Sequence, residues 1–289
     1  MVTAQEAKTE FVQVGEVKYA YRRLGTKTGV PLLCLMHIRG TIDHWDPALI
    51  NTLASSQPVI LFDNSGVGYS TGNVVDSVQA MANNVISFLS ALQIHQVNIL
   101  GYSMGGWVAQ MLAISSPHLV RRLVLAGTSP SGGDGVIRGS AELRAMVSAP
   151  TPNVWNLENA YRMFFGPSDR SRAAAKPWWD RLQERGIAEE NIADIVSGTG
   201  LFSMGKAAEN WMGGGPDGSY DKLDQIKAAV FIAAGSHDEM SPPLNSVVLW
   251  QRIANSHLHI YPDSAHGFLY QHVNLFATHV QLFLNEDTL

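Results

Sequence analysis

One serine sits where a hydroxyl can become a nucleophile. Gly101-Tyr102-Ser103-Met104-Gly105-Gly106 follows the apolar run Val97-Asn98-Ile99-Leu100 and precedes a helical pattern. Gly-x-Ser-x-Gly between strand and helix lifts the serine Oγ clear of a sheet on a sharp turn. The glycines at 101 and 105 leave room for backbones to approach there. The helix that follows points its positive end at the site, which favours negative charge developing beside Ser103. The chemistry this setting serves is attack on a carbonyl. The plainer reading is a glycine-rich strand–helix turn with a structural serine.

A serine hydroxyl is a poor nucleophile at neutral pH. It needs a base within hydrogen-bond reach and a group that orients the base. Ten histidines compete for the role. His95, His118, His257 and His259 fall at helix ends or within a strand and read as structural. His37 and His44 follow the third apolar run, and His272 and His279 sit on the last helix. His266 stands out by place. It lies in Tyr261-Pro262-Asp263-Ser264-Ala265-His266-Gly267, a short loop after the last strand that returns over the carboxyl ends of the strands. Asp238, in Gly235-Ser236-His237-Asp238, follows the strand Val230–Ala234 directly and is the leading acid. Asp263 reads as a turn residue, and Asp134 is a weaker alternative. A metal site of His237, Asp238 and His266 is disfavoured. Adjacent His and Asp side chains diverge in an extended turn, and no further clustered ligand appears.

Several elements must position these groups. Around Gly15, Phe11–Val14 and Val17–Arg22 alternate in polarity and predict a hairpin. Six short apolar runs follow, at 31–36, 59–62, 97–100, 122–126, 230–234 and 258–261. Such runs, bounded by turn residues, predict strands buried on both faces. Between them, 77–92, 104–115, 244–253 and 272–284 show apolar residues at helical spacing. Strand–helix alternation implies a mostly parallel eight-stranded sheet with helices on both sides. Residues 131–227 lack a buried-strand run and give short amphipathic pieces rich in Trp, Phe and Met. The expected organisation is a core of 1–130 and 228–289, with 131–227 as a helical cap inserted after the sixth strand.

From Phe11 to Leu284 the chain resembles the α/β-hydrolase family, with the middle insertion matching only in position. Besides the serine pentapeptide, Asp63-Asn64-Ser65-Gly66-Val67-Gly68-Tyr69-Ser70 is similar to that family's turn after its fourth strand. The resemblance implies that His266 is the general base. It also matches the Asp238 turn to the family's Gly-x-x-Asp, so Ser103, Asp238 and His266 stand in the chain order of this fold. Acyl transfer passes through an oxyanion held by two backbone N–H groups. The first is that of Met104, directly after the nucleophile. By alignment the second is that of Arg39, in Met36-His37-Ile38-Arg39-Gly40. The family's His-Gly-x-Gly has become His37-Ile38-Arg39-Gly40. A β-branched residue resists positive φ, so either Ile38 keeps negative φ or the hole changes shape. The Arg39 side chain either meets a substrate carbonyl or carboxylate or is a surface cation paired with Asp43 or Asp46.

Composition excludes other classes. Lys plus Arg is 20 against 25 for Asp plus Glu, a net charge of −5, which opposes nucleic-acid binding. A single cysteine, Cys34, rules out an internal disulfide and a cysteine-based zinc site. No dinucleotide fingerprint follows the first strand and no phosphate-binding loop is present, so no cofactor is expected. There is no basic run for a membrane surface, no bilayer-length apolar segment and no leader pattern, so a cytoplasmic location is expected. Serine in place of aspartate at the nucleophile disfavours chemistry through an alkyl ester intermediate.

The expectation is a serine hydrolase acting through an acyl-enzyme on a small to mid-sized hydrophobic ester, lactone or thioester. His37, Ile38, Trp178 and Trp211 are the candidate substrate-binding residues, while Trp107 reads as buried structure. The alternative on the same site is a non-hydrolytic or carbon–carbon bond enzyme: a lyase, a cofactor-free haloperoxidase or a cyclising enzyme. From another class, a ligand receptor that kept the pocket is a third reading. The partner is a small hydrophobic molecule, and a homo-oligomer stays open.

Overall fold

Leu32, Leu33, Cys34 and Leu35 are all buried, although their side chains alternate between the two faces of a strand. Leu32 and Cys34 join one apolar core, Leu33 and Leu35 the other. A sheet covered on both sides explains why these runs show no polar alternation. The computed structural model describes residues 2–149, 155–187, 189–215 and 217–285. Its strands are β1 (Glu10–Val14), β2 (Val17–Leu24), β3 (Leu32–Leu35), β4 (Val59–Phe62), β5 (Val97–Tyr102), β6 (Val120–Ala126), β7 (Ala229–Gly235) and β8 (Ser256–Tyr261). They form one sheet in the order β1-β2-β4-β3-β5-β6-β7-β8. The β1–β2 and β2–β4 pairs are antiparallel, the others parallel. All eight expected strands are present, with ends within two residues of the apolar runs.

The helices are α1 (Pro47–Ala54), α2 (Val78–Ala91), α3 (Met104–Ser115), α4 (Ala141–Val147), α5 (Leu157–Phe164), α6 (Asp169–Leu182), α7 (Gly198–Gly213), α8 (Pro243–Arg252), α9 (Phe268–Gln271) and α10 (Val273–Asn285). Sequence periodicity did not predict α1. Its signal is at the start instead: Asp46 accepts the Ala48 N–H, and Pro47 takes the first helical position. Among the described residues no helix is long and apolar enough to cross a membrane.

Strand order decides where a ligand can sit. From β3 the chain turns to β4 on one side, while β5 pairs with β3 on the other, Leu35 opposite Gly101. Such a reversal opens a crevice at the carboxyl ends of the two strands. The turn His37–Gly40 leaves one of them, and Ser103 leaves the other.

Between β6 and β7 the chain leaves the sheet for α4, α5, α6 and α7. Polar clamps hold this segment to the rest of the fold. Arg181 donates twice to Asp46, from Nε at 2.8 Å and Nη2 at 2.6 Å. Arg185 donates to Glu190 at 2.5 Å, and Glu190 also accepts from the Thr9 hydroxyl at 2.6 Å. Arg22 from β2 donates to Asp43 at 2.6 Å, with both side chains buried. Asp43 accepts in addition from Tyr69 Oη and the Ala193 N–H, both at 2.8 Å.

Candidate active site

Ser103 adopts φ 55° and ψ −120°, a conformation rare outside glycine. The surroundings over-determine it. Its N–H donates to Ala126 O at 2.9 Å, and its carbonyl accepts from Gly106 N–H at 2.9 Å and Thr128 Oγ1 at 2.7 Å. Both flanking glycines are required by close approach. A Cβ at Gly105 would lie 2.0 Å from Leu35 O, and one at Gly101 would lie 2.7 Å from Gly105 O. Met104 opens α3, so its N–H is one of those that a helix's first turn leaves without an intrahelical acceptor.

Asp238 and His266 meet across two loops. His266 Nδ1 donates to Asp238 Oδ2 at 2.8 Å. The other oxygen, Oδ1, accepts the N–H groups of Met240 at 2.9 Å and Ser241 at 2.8 Å, which fixes the carboxylate. The His266 loop is pinned by Tyr102, whose hydroxyl donates to the His266 carbonyl at 2.9 Å. With Nδ1–H held by a carboxylate, Nε2 of the neutral ring carries the lone pair. That atom is buried and has no partner. Among the described residues no group of three or more His, Cys, Asp and Glu side chains is placed to hold a metal ion. His237 is exposed, its Nδ1 paired with the Ser236 hydroxyl.

The competing groups lie elsewhere. Asp263 takes positive φ in its turn, and its carbonyl accepts from Gln271. Asp134 is exposed, and Tyr220 donates to its carbonyl. His272 pairs with Pro262 O and His279 with Tyr261 Oη. His44 is buried, and its Nδ1 accepts the Thr41 N–H at 3.0 Å. Burial lowers its pKa to about 4.

The turn after β3 departs from expectation in an informative way. Ile38 avoids positive φ, and Arg39 takes it instead, at 67°. The Arg39 N–H, aligned with the second oxyanion donor, is directed at Met204 Sδ of α7, 3.3 Å away. Pairing of the Arg39 side chain with Asp43 or Asp46 is not found, because Arg22 and Arg181 already hold those carboxylates. Arg39 is buried and binds carbonyls: Nε donates to Val196 O at 2.8 Å, and Nη1 to Val147 O at 2.7 Å and Ala149 O at 3.1 Å.

Two cavities meet at Ser103 and Ile38. The larger, about 450 Å³, runs outward between α4, α7 and the loop after β7, past Trp107, Gly205, Met212 and Met240. The smaller, about 30 Å³, is bounded by His37, Arg39, Phe164 and His266. His37 donates from Nδ1 to Ile38 O at 2.8 Å, which leaves its Nε2 buried and unpartnered. Burial lowers its pKa to about 3, so this second imidazole stays neutral.

The two candidate tryptophans do not border either cavity. Trp178 is fully buried and stacks on Tyr270 at 5.2 Å. Trp211 donates to Pro130 O and stacks 5.7 Å behind Trp107. Both are packing residues, and it is Trp107 that faces the cavity. Its signal was available, since position 107 is four residues beyond Ser103 on one helical face. Gly205 and Met240 carried no local signal.

Comparison with known proteins agrees with this architecture. A family model described as alpha/beta hydrolase fold matches residues 31–273. An alpha/beta hydrolase fold protein from Chitinophaga pinensis superposes with a TM-score of 0.88. It is 32% identical, with coverage of 98% of this chain and 99% of that chain. A poly(3-hydroxyalkanoate) depolymerase from Ectopseudomonas oleovorans is 28% identical over 261 residues, 89% of this chain and 85% of the relative. A 2-hydroxymuconate semialdehyde hydrolase from Pseudomonas sp. (strain CF600) is 28% identical, over 81% of this chain and 78% of its own.

Proposed function

This chain belongs to the alpha/beta hydrolase fold family, and from that premise we propose a serine hydrolase of small to mid-sized hydrophobic esters, lactones or thioesters. One observation carries the reading. His266 is held at Nδ1 by Asp238, 2.8 Å away, and its Nε2 is unpartnered in a cavity wall that also contains Ser103. A base whose far side is fixed and whose near side is free is what a serine hydroxyl needs.

In this mechanism Ser103 Oγ attacks the carbonyl carbon while His266 Nε2 takes its proton. The imidazolium, steadied by Asp238, returns that proton to the leaving group. Water, deprotonated by His266, then releases the acid and regenerates Ser103. Met104 N–H is one oxyanion donor. Arg39 N–H becomes the other by exchanging the Met204 thioether, a weak acceptor, for an oxyanion, a strong one. His37 stays neutral above pH about 4 and so does not compete as the base. Residues 131–227 act as a cap: α4 and α7 contribute Val147, Leu201 and Met212 to an apolar wall that suits a hydrophobic chain better than a sugar or a peptide.

A fluorophosphonate probe tests the reading. We expect stoichiometric labelling of the folded protein at Ser103, found by peptide mass spectrometry, and none in Ser103→Ala. Failure to label, or undiminished ester turnover by Ser103→Ala, overturns a nucleophilic Ser103.

A further inference from the structure

Charge is arranged unevenly around the larger cavity. The protein carries a net −5, yet among the described residues the charged ones around this cavity are Arg138, Arg144 and Lys206 against Glu209 alone. The layering follows from α7. Leu201 is buried, Gly205 and Met212 are half-buried, and Phe202, Lys206 and Glu209 are exposed. Helical spacing therefore sets an apolar stripe toward Ser103 and a polar stripe at the mouth. Across the mouth, Arg138 Nη1 lies 2.8 Å from Glu209 Oε2 and Arg144 Nη1 lies 3.9 Å from Glu209 Oε1. One exposed carboxylate thus serves two guanidinium groups, while Lys206 turns aside to Asp76 at 2.5 Å.

A second observation lies deeper. Arg39 is 3% exposed, and its hydrogen bonds go to carbonyl oxygens and to no carboxylate. Its Nη2 is buried without a partner. A buried cation without a counter-ion is costly, and an anion nearby relieves that cost. The mouth of the connected cavities therefore carries more cations than anions, a buried guanidinium borders the deep end, and the lining between them is mostly apolar.

We infer that the substrate is amphiphilic: a hydrophobic ester whose chain ends in a carboxylate. The inference rests on the hydrolase reading above. The ester carbonyl lies at Ser103, the chain runs past Trp107, Gly205 and Met212, and the carboxylate displaces Glu209 from Arg138 and Arg144. Glu209 acts as a stand-in anion that keeps the mouth ordered when the cavity is empty. A bidentate guanidinium contact supplies the direction that a methylene chain lacks.

The test compares hydrolysis of a monoethyl ester of an α,ω-dicarboxylic acid with that of the ethyl ester of the matching monocarboxylic acid. A third substrate carries the carboxylate on the alcohol side. The readout is the ratio of kcat/KM, anionic over neutral. We expect a ratio above one for at least one anionic isomer, fading as salt screens the mouth. It should fall about fivefold in Arg138→Gln/Arg144→Gln and rise about threefold in Glu209→Gln, the size of surface charge pairs. A merely structural role for this trio would move the ratio in the same direction in both variants. Ratios at or below one for both isomers, or ratios unmoved by either variant, overturn the inference while leaving the hydrolase intact. If no ester turns over, the hydrolase reading fails by itself. Calorimetry on Ser103→Ala then decides the charge question: tighter binding of the monoester than of the neutral ester, lost in the double arginine variant, supports it, and equal binding refutes it.

Discussion

The strand-end loops and the segment between β6 and β7 divide the work of this molecule unequally. The loops hold Ser103, Asp238 and His266 within a few residues of β5, β7 and β8. Each is fixed by main-chain hydrogen bonds, such as Ser103 N–H to Ala126 O and His237 N–H to Ser264 O. The helices between β6 and β7 supply cavity wall and mouth instead. They are tied to the rest of the fold by charged side chains: Arg181 to Asp46, Arg39 to three carbonyls, and Glu190 to Thr9. Reactive groups need geometry good to a fraction of an ångström, which parallel strands supply at their ends. A wall needs only shape and polarity, so it can hang on side-chain clamps.

The largest expected effect is on the rigid side of this comparison. His266→Ala should lower kcat by about 10⁴-fold or more, the usual loss when one member of such a unit is removed. Its melting temperature should stay near that of the native protein. A variant that keeps its rate moves the base elsewhere and breaks the contrast between loops that react and helices that enclose.

The clamp at Glu190 sharpens the other side. Burial alone would raise its pKa, but hydrogen bonds from Thr9 and Arg185 outweigh it and hold it at about 2, against 4.5 for the free side chain. A depressed folded-state pKa lends stability that is full above pH about 4.5 and is lost as pH falls toward about 2. Thermal melts of the native protein and Glu190→Gln should therefore differ at pH 7 and converge as the pH falls through that window. Hydrogen exchange in residues 189–196 should be faster in the variant at neutral pH. A gap between the melts that does not change with pH would remove Glu190 from the account of how the helices are held.

The smallest effect on stability, and the most selective on function, is expected at Gly205. A Cβ there meets nothing within 4 Å, and the residue borders the large cavity from inside α7. Gly205→Leu gains up to about 1 kcal/mol of helix propensity while filling part of the cavity. KM should rise for long-chain esters and hold for acetates. An equal change for both chain lengths would mean that this stretch of wall does not meet the substrate chain.

Much of the sheet and of the proposed reactive trio was legible in the sequence. Buried strands of four to seven residues leave continuous apolar runs, as Leu32–Leu35 and Ala229–Gly235 do. The turn at Ser103 announces itself because backbones meet there too closely for anything larger than glycine at 101 and 105. Asp238 and His266 could be named because each follows its strand by only a few residues and because the family resemblance assigns those two turns to an acid and a base. The walls were harder. Trp178 and Trp211 look like pocket residues in an aromatic-rich segment, but which side of a helix faces a cavity depends on what packs behind it. Tyr270 covers one and Trp107 the other.

By itself the sequence determined which strands form, which turns follow them and which side chains those turns present, because these depend on local sterics and on burial that repeats along the chain. Only the tertiary structure decided that Arg39 is a buried cation bound to carbonyls, that its N–H faces Met204, and that two arginines share Glu209 at the mouth. Those relations join residues more than sixty positions apart across separately folded elements. No spacing or periodicity along the chain encodes the distance between them.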